Sequence, residues 1–299
     1  MFSTSSDTVA DKIRAAFDFT VDKFPLSGPD GLQTPWYAMF RSDTDKVIGK
    51  GSVTSRYVPH QTDDVLALCD AASEAFNDEI DVTTHFRDGH YVSIQPTQHE
   101  RLAVYGQRDN VWPRVIINAG YDGRAFAATM GYYRDACRNL AMMRQVSGTT
   151  VSIRHTSGLR SHMDSLISTF NTLKDSWSGL SDVIMHLENT DVQMIDFLNE
   201  IYPQPDADAS KRGVTVHRDR TETIFRRLQD ERFRTGRGRM QAADGFTVSA
   251  WEAFNAVQGY VQHDAQSKTG FKSDFDRILR ASRDANVRKA ESMVLALVA

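Results

Sequence analysis

The chain is poor in cysteine, in long apolar runs and in every short motif that announces a reaction. Among 299 residues there are two cysteines, Cys69 and Cys137, each inside an apolar-periodic stretch and neither in a CxxC pair. They read as buried reduced thiols, and with no paired histidines beside them they offer no zinc site. No run approaches the roughly 18 apolar residues that a membrane span requires. The start, MFSTSSDTVADKIRAAFDF, lacks the apolar core of a signal peptide and carries Asp7 and Asp11 where a leader is basic. The expectation is a reducing, cytoplasmic setting without a membrane partner.

Catalytic signatures are missing too. There is no GxSxG, no GxxxxGK[ST] and no GxGxxG following a strand. The GxG at Gly236–Gly238 follows an arginine-rich helix, which argues against a dinucleotide fold. Nine histidines are present, with His85, His90 and His99 close in sequence, but none shows the HxxxH spacing that places two ligands on one helix face. No metal and no cofactor is expected. Asp63 and Asp64 stand at a helix start, where the helix dipole accounts for them. Asp109 and Asp122 are candidates for an acidic pair of a nuclease, with nothing else in the pattern to support one. The chain therefore reads as a binding protein more than an enzyme.

What it does have is concentrated positive charge. The chain carries a net charge of -4, yet residues 211–239 (KRGVTVHRDRTETIFRRLQDERFRTGRGR) hold ten Lys/Arg against four acids. Residues 1–100 are the counterweight, with 8 basic and 16 acidic groups. A local arginine surplus in an acidic protein points to an anionic partner, nucleic acid being the commonest. A helix is expected over Thr221–Phe233, ending in a GRGR loop whose glycines let guanidinium groups approach phosphates. Lys211, Arg212, Arg226, Arg227, Arg232, Arg234, Arg237 and Arg239 are the candidate phosphate contacts. Phe233, with Phe225 as a second aromatic, is the candidate for base stacking, as single-strand binding requires. The alternative is that these arginines pair with Asp230, Glu231 and the acidic front, within the chain or between copies.

The apolar periodicity divides the chain. An amphipathic helix is expected over Thr8–Lys23 and a loop over Pro25–Pro35. Two strands follow, Trp36–Arg41 and Val47–Val58, joined by the polar turn SDTDK. Thr62 caps a helix to about Phe76. His90–Gln95, Arg101–Tyr105, Val111–Asn118, Arg124–Gly131 and Thr149–His155 read as strands, and Tyr132–Arg144 as a helix. From Leu159 onward the spacing is helical, with a cap at Thr190-Asp191, a polar linker at Pro203–Ser210, a helix from Ser249 and another over Phe271–Val298. The prediction is an α+β protein: residues 1–35 as helix and loop, an antiparallel sheet domain over 36–156, and a helical region over 157–299.

Several ordered motifs support a relationship. WYAMFRSDTDKVIGKGSVTSRYVPHQTDD (Trp36–Asp64), INAGYDGRAF (Ile117–Phe126), RDACRNL (Arg134–Leu140), IRHT (Ile153–Thr156) and SAWEAFNAVQGYVQHD (Ser249–Asp264) resemble the phage- and plasmid-borne proteins that carry a domain of unknown function. Gly120-Tyr121 stands where that family tends to Ser-His, and Leu140 where it has Gly. The matching positions include Asn118, Asp122, Arg134, Asn139, His155, Trp251, Asn255 and His263. Of these, Trp251, Asn255 and His263 share a helix face with Tyr260, which suggests packing of that helix onto the sheet. The resemblance implies a mobile-element origin in a bacterial host cell. With the basic segment it suggests sequence-independent DNA binding in recombination or replication, with single strands preferred, annealing as one form and a homo-oligomer as the assembly. The runner-up is an oligomeric protein-interaction or host-defence-modulating protein with no role on DNA.

Overall fold

The computed structural model describes residues 8–76, 79–86, 89–96, 102–104, 108–121, 126–134, 140–141, 150–153, 155–156, 179, 181–242, 245–265, 277, 280–281 and 284–298. The architecture is α+β, with antiparallel sheets in the first half and helices in the second. The chain forms two compact units that interleave in sequence. One comprises Met1–His99, Pro113–Met130 and Thr149–Asp175; the other comprises Glu100–Trp112, Gly131–Gly148 and Ser176–Ala299.

The first unit opens with helix α1 (Val9–Phe17). Thr8 and Asp11 form a reciprocal capping box there, and those hydrogen bonds hold the Asp11 carboxyl below its usual range. The expected helix is cut short at Phe17, because Val21–Ser27 pairs as strand β1 with β2 (Gln33–Arg41). The anticipated loop at 25–35 shrinks to a turn at Pro29–Gly31 between those strands. Strand β3 (Val47–Thr54) completes a three-stranded sheet. Helix α2 (Thr62–Phe76) buries Val65, Leu68, Cys69, Ala72 and Phe76, a stripe at helical spacing.

The larger sheet has the order β10-β8-β7-β5-β4, built from β4 (Ile80–Phe86), β5 (Gly89–Pro96), β7 (Asp109–Gly120), β8 (Phe126–Arg134) and β10 (Thr150–Ile153). Strand β6 (Leu102–Val104) pairs with β7, and β9 (Leu140–Ala141) pairs with β8. Proline cannot donate to a ladder. Pro113 falls between the β6 pairing, which ends at Val111, and the β5 pairing, which begins at Val115, so on that side of β7 no donor is missed. Tyr132–Arg134, read as the start of a helix, instead ends β8. Phe126, Thr129, Tyr132 and Tyr133 are residue types that favour strands.

The second unit is mainly helical. A helical run at 181–188 leads to β11 (Asp191–Gln193), which pairs with β12 (Thr247–Ser249). Thr190-Asp191 therefore enters a strand rather than capping a helix, and Gln193 precedes α3 (Met194–Ile201). Helix α4 (Lys211–Arg234) follows the polar linker. Helix α5 (Ala250–Gly259) starts with a second capping box, Ser249 with Glu252, and continues as a π-helical turn at Tyr260–Asp264. Asp284 caps α6 (Ala285–Leu295), so the expected helix over 271–298 starts anew at that point. The core of this unit gathers Ile184, Leu187, Leu198, Ile224, Leu228, Trp251, Phe254, Val257 and Val294. Every residue of α5 is buried, which makes it the central helix of the unit.

Candidate nucleic-acid interface

Helix α4 is longer than the periodicity suggested. Ser210 starts it, its Oγ accepting from the Gly213 amide at 3.1 Å. Thr215, Thr221 and Thr223 each donate their hydroxyl to the carbonyl four residues back, which lets β-branched residues sit inside a helix. Ile224, Leu228 and Glu231 supply its buried face.

The GRGR segment ends this helix as a hydrogen-bonded turn. Gly236 (φ 68°) takes the left-handed conformation. The Arg237 amide donates to the Arg232 carbonyl at 2.8 Å and the Gly236 amide to the Phe233 carbonyl at 3.2 Å. This is the Schellman pattern, and it explains why glycine stands at 236. Arg108, in the β6–β7 connection, covers the same end: its Nη1 donates to the carbonyls of Thr235 (3.2 Å) and Gly236 (2.7 Å). The expected free basic loop is thus a helix cap.

The arginines divide into two groups. Arg227 Nε lies 2.5 Å from Asp264 Oδ2. Arg232 Nη1 donates to both oxygens of Glu252 at 2.8 Å, and the same carboxylate lies 3.4 Å from Arg237 Nε. Arg237 also faces Glu188 at 3.8 Å. Their carboxylate partners come from the second unit itself. Buried Glu231 is paired further inside, with Arg134. The latter contacts Glu231 Oε1 at 2.5 Å and Asp109 Oδ2 at 2.7 Å, with no side-chain exposure, and its guanidinium lies 5.7 Å from the Trp251 ring centroid. Asp109, weighed as a nuclease ligand, serves this buried network. Asp122 and Asn139 lie outside the described residues, as does Cys137.

The second group, Lys211, Arg212, Arg226 and Arg239, faces water. Arg234 is exposed as well, its Nε donating to the Asp230 carbonyl at 3.4 Å, and Phe233 is 60% exposed, unusual for a phenylalanine. On a helical projection Lys211, Arg212, Arg226 and Phe233 lie opposite the Ile224–Leu228 face. Phe225 is half-buried against Phe246 (5.2 Å between centroids), so it is core rather than a stacking platform. Asp219, Glu222 and Asp230 are exposed on the same helix and temper its charge; Arg218 pairs with the first two.

The family-motif residues are structural where they are described. Trp251 and Asn255 are fully buried, Asn255 Nδ2 donating to the Trp251 carbonyl at 2.7 Å. Trp251 packs in the core of the second unit, where helix residues meet Val104 of β6 and Val111 of β7, so this helix packs against strand residues as expected. His263 is half-buried and Asn118 half-buried in β7. His155 belongs to an aromatic centre of the first unit: it stacks on Tyr57 at 4.8 Å and lies 5.1 Å from His60, which stacks on Tyr121 at 4.2 Å. His155 Nδ1 donates to the Val58 carbonyl at 3.2 Å and the Tyr121 hydroxyl to the His60 carbonyl at 2.9 Å. Among the described residues no group of three or more His, Cys, Asp or Glu is placed to hold a metal ion, and no helix is long and apolar enough to cross a membrane.

The sequence reading missed the partners: Arg108, Glu188, Glu252 and Asp264. One signal was available. Ser249-x-x-Glu252 is a capping-box pattern, which places that carboxylate at the first turn of a buried helix.

Residues 50–294 match the family described as a domain of unknown function (DUF932). The chain belongs to the DUF932 family. No curated protein and no solved structure matches it. The match begins inside β3, so it leaves out β1 and β2 of the three-stranded sheet.

Proposed function

We propose that this DUF932 protein binds nucleic acid through its phosphate backbone, without sequence preference, along the exposed face of α4. One observation carries the reading: after the internal ion pairs are assigned, Lys211, Arg212, Arg226 and Arg239 still face water, with an exposed Phe233 among them. Guanidinium groups held this way meet phosphates, and an exposed ring suits an unstacked base, so single strands are the preferred substrate. Arg227, Arg232 and Arg237 position that surface instead of contacting the strand. The mobile-element setting in a bacterial cytoplasm, and a role in recombination, replication or annealing, extend the reading through the motif resemblance.

The test is anisotropy of labelled single- and double-stranded oligonucleotides at about 50 and 200 mM salt. Wild-type binding is expected to weaken as salt rises. Arg226→Ala with Arg234→Ala flattens the salt slope by roughly one to two, with little change in melting temperature. Arg232→Ala lowers the melting temperature instead. Binding unaffected by the Arg226/Arg234 pair removes this face from the interface.

A second reading has its own observation. The three-stranded sheet exposes Phe24, Leu26, Trp36 and Val47, and Leu32 at its hairpin turn is 70% exposed. Exposed apolar groups gathered on one small sheet mark a protein-contact surface. A homo-oligomer detected by light scattering, which dissociates for Trp36→Ser and ignores oligonucleotides, replaces the nucleic-acid reading with a protein-interaction one.

A further inference from the structure

The start of α4 forms one wall of an open cleft of about 420 Å³, closed on the other side by the linker residues Pro203 and Pro205. Arg212, Val216 and Arg220 line it at i, i+4 and i+8, so one stripe of the helix faces the cleft. Elsewhere on α4, Arg218, Arg227 and Arg232 pair with carboxylates, as does Arg237 beyond the helix end. Among the described residues Arg212 and Arg220 have no carboxylate within ion-pairing distance. Asp206 and Asp208 stand in the same linker, but neither lines the cleft nor reaches those guanidinium groups.

Arg220 is also held in place. Its guanidinium lies over the Tyr202 ring, 4.6 Å from the centroid. Tyr202 is buried, and its phenol is pushed above the usual range, first by burial and then by the charge of Asp284. His217 Nε2 donates to the Tyr202 carbonyl at 3.1 Å, which ties the helix to the linker from within the cleft. A stacked guanidinium keeps its N–H edge for an anion and loses little rotamer freedom on binding one. The volume exceeds that of a bare phosphate and falls in the range of small-molecule sites. The prolines and Val216 add an apolar wall suited to a sugar or base.

We propose that this cleft binds a nucleoside 5′-phosphate group, with Arg212 and Arg220 as its anion donors. The group has two sources, a free nucleoside monophosphate or the phosphorylated 5′ end of a strand. The strand-end form rests on the nucleic-acid reading above; the free-nucleotide form does not.

The experiment is isothermal titration of the full chain with AMP and with adenosine. It is paired with anisotropy of one oligonucleotide carrying either a 5′-phosphate or a 5′-hydroxyl. The wild type is expected to bind AMP and not adenosine, and a preference for the phosphorylated end identifies the strand as the source. Arg212→Gln weakens AMP binding about tenfold or more, the loss expected for one charge-assisted hydrogen bond, with an unchanged melting temperature. Arg220→Gln does the same, and Arg218→Gln, outside the cleft, leaves AMP binding intact. AMP binding without any oligonucleotide binding keeps the cleft and overturns the interface along α4. Oligonucleotide binding that ignores the terminal phosphate, together with AMP and adenosine behaving alike, overturns the cleft and leaves the interface standing. AMP binding indifferent to both Arg212→Gln and Arg220→Gln also overturns the proposal.

Discussion

The two units bury polar groups at their centres in opposite ways. In the first, His60 stacks on Tyr121 and Tyr57 on His155, and His155 and Tyr121 each donate to a backbone carbonyl. In the second, Arg134 bridges Asp109 and Glu231 with no exposure, and Glu252 bridges Arg232 and Arg237 nearby. The first centre is held by ring stacking and hydrogen bonds to the backbone, each modest alone. The second is held by desolvated charges, whose value depends on every partner being present. Arginine enrichment in the second unit therefore has two causes. Part of it neutralises buried carboxylates, and only the remainder is available to a ligand.

The sharpest way to break this comparison is to remove one charge. Arg134→Met leaves Asp109 and Glu231 facing each other without a cation. The expected loss is about 3–5 kcal/mol by urea unfolding, the range for breaking a buried ion pair. Adding Asp109→Leu and Glu231→Leu is expected to restore much of it, because an apolar cluster of similar volume no longer needs the cation. His60→Phe in the first unit keeps the stacking and is expected to cost less than Arg134→Met. A larger loss for His60→Phe reverses the contrast.

Glycine substitutions sharpen it at the level of the backbone. Gly49 has φ 86°, and a Cβ there meets the Tyr121 carbonyl oxygen at 2.3 Å. Gly236 has φ 68°, and a Cβ there meets Arg108 Nη1 at 2.0 Å. The distances are similar but the obstacles differ. A backbone carbonyl next to a strand end cannot move without its chain, whereas a guanidinium tip can swing away. Gly236→Ala is expected to cost about 1 kcal/mol, the usual penalty at a left-handed helix end. Gly49→Ala is expected to cost more, read as a larger drop in urea midpoint at equal slope.

The same contrast explains what could be read in the sequence. The fold class, the β2–β3 hairpin, the span of α2 and the start of α5 follow from local pattern: alternation across SDTDK, the stripe from Val65 to Phe76, the cap at Ser249. The small sheet hid β1 because its residues Phe24–Ser27 are exposed, so no alternation marks them. The end of β8 was misread because Arg134 looks like a helix-surface residue until Asp109 and Glu231 are brought to it by long-range contacts. The candidate interface was half legible. Charge density located α4, but which arginines are consumed internally depends on Glu188, Glu252 and Asp264, and no spacing within residues 211–239 encodes them.

The smallest expected effect concerns the aromatic centre's own unit. Cys69 is fully buried on α2, and burial, with a lesser contribution from the Asp70 charge, pushes its thiol up to about 12. The native thiol therefore stays protonated at pH 8, where a thiolate-directed reagent needs the anion. In a Cys137→Ser background, Ellman's reagent is expected to leave Cys69 unreacted in the native protein and to titrate it fully in urea. The sign of the linked stability follows. The folded thiol holds its proton above the pH at which the unfolded one, near its ordinary 9.0, releases it. Between about 9 and about 12 the unfolded state binds fewer protons, so stability falls as pH rises. Burial raises Tyr121 in the same direction, so it adds to the alkaline loss. Cys69→Ala is expected to make the alkaline limb of the stability profile shallower without altering it below pH 8. A native protein that reacts promptly at pH 8 means that α2 opens locally, and that the aromatic centre is the less secure of the two.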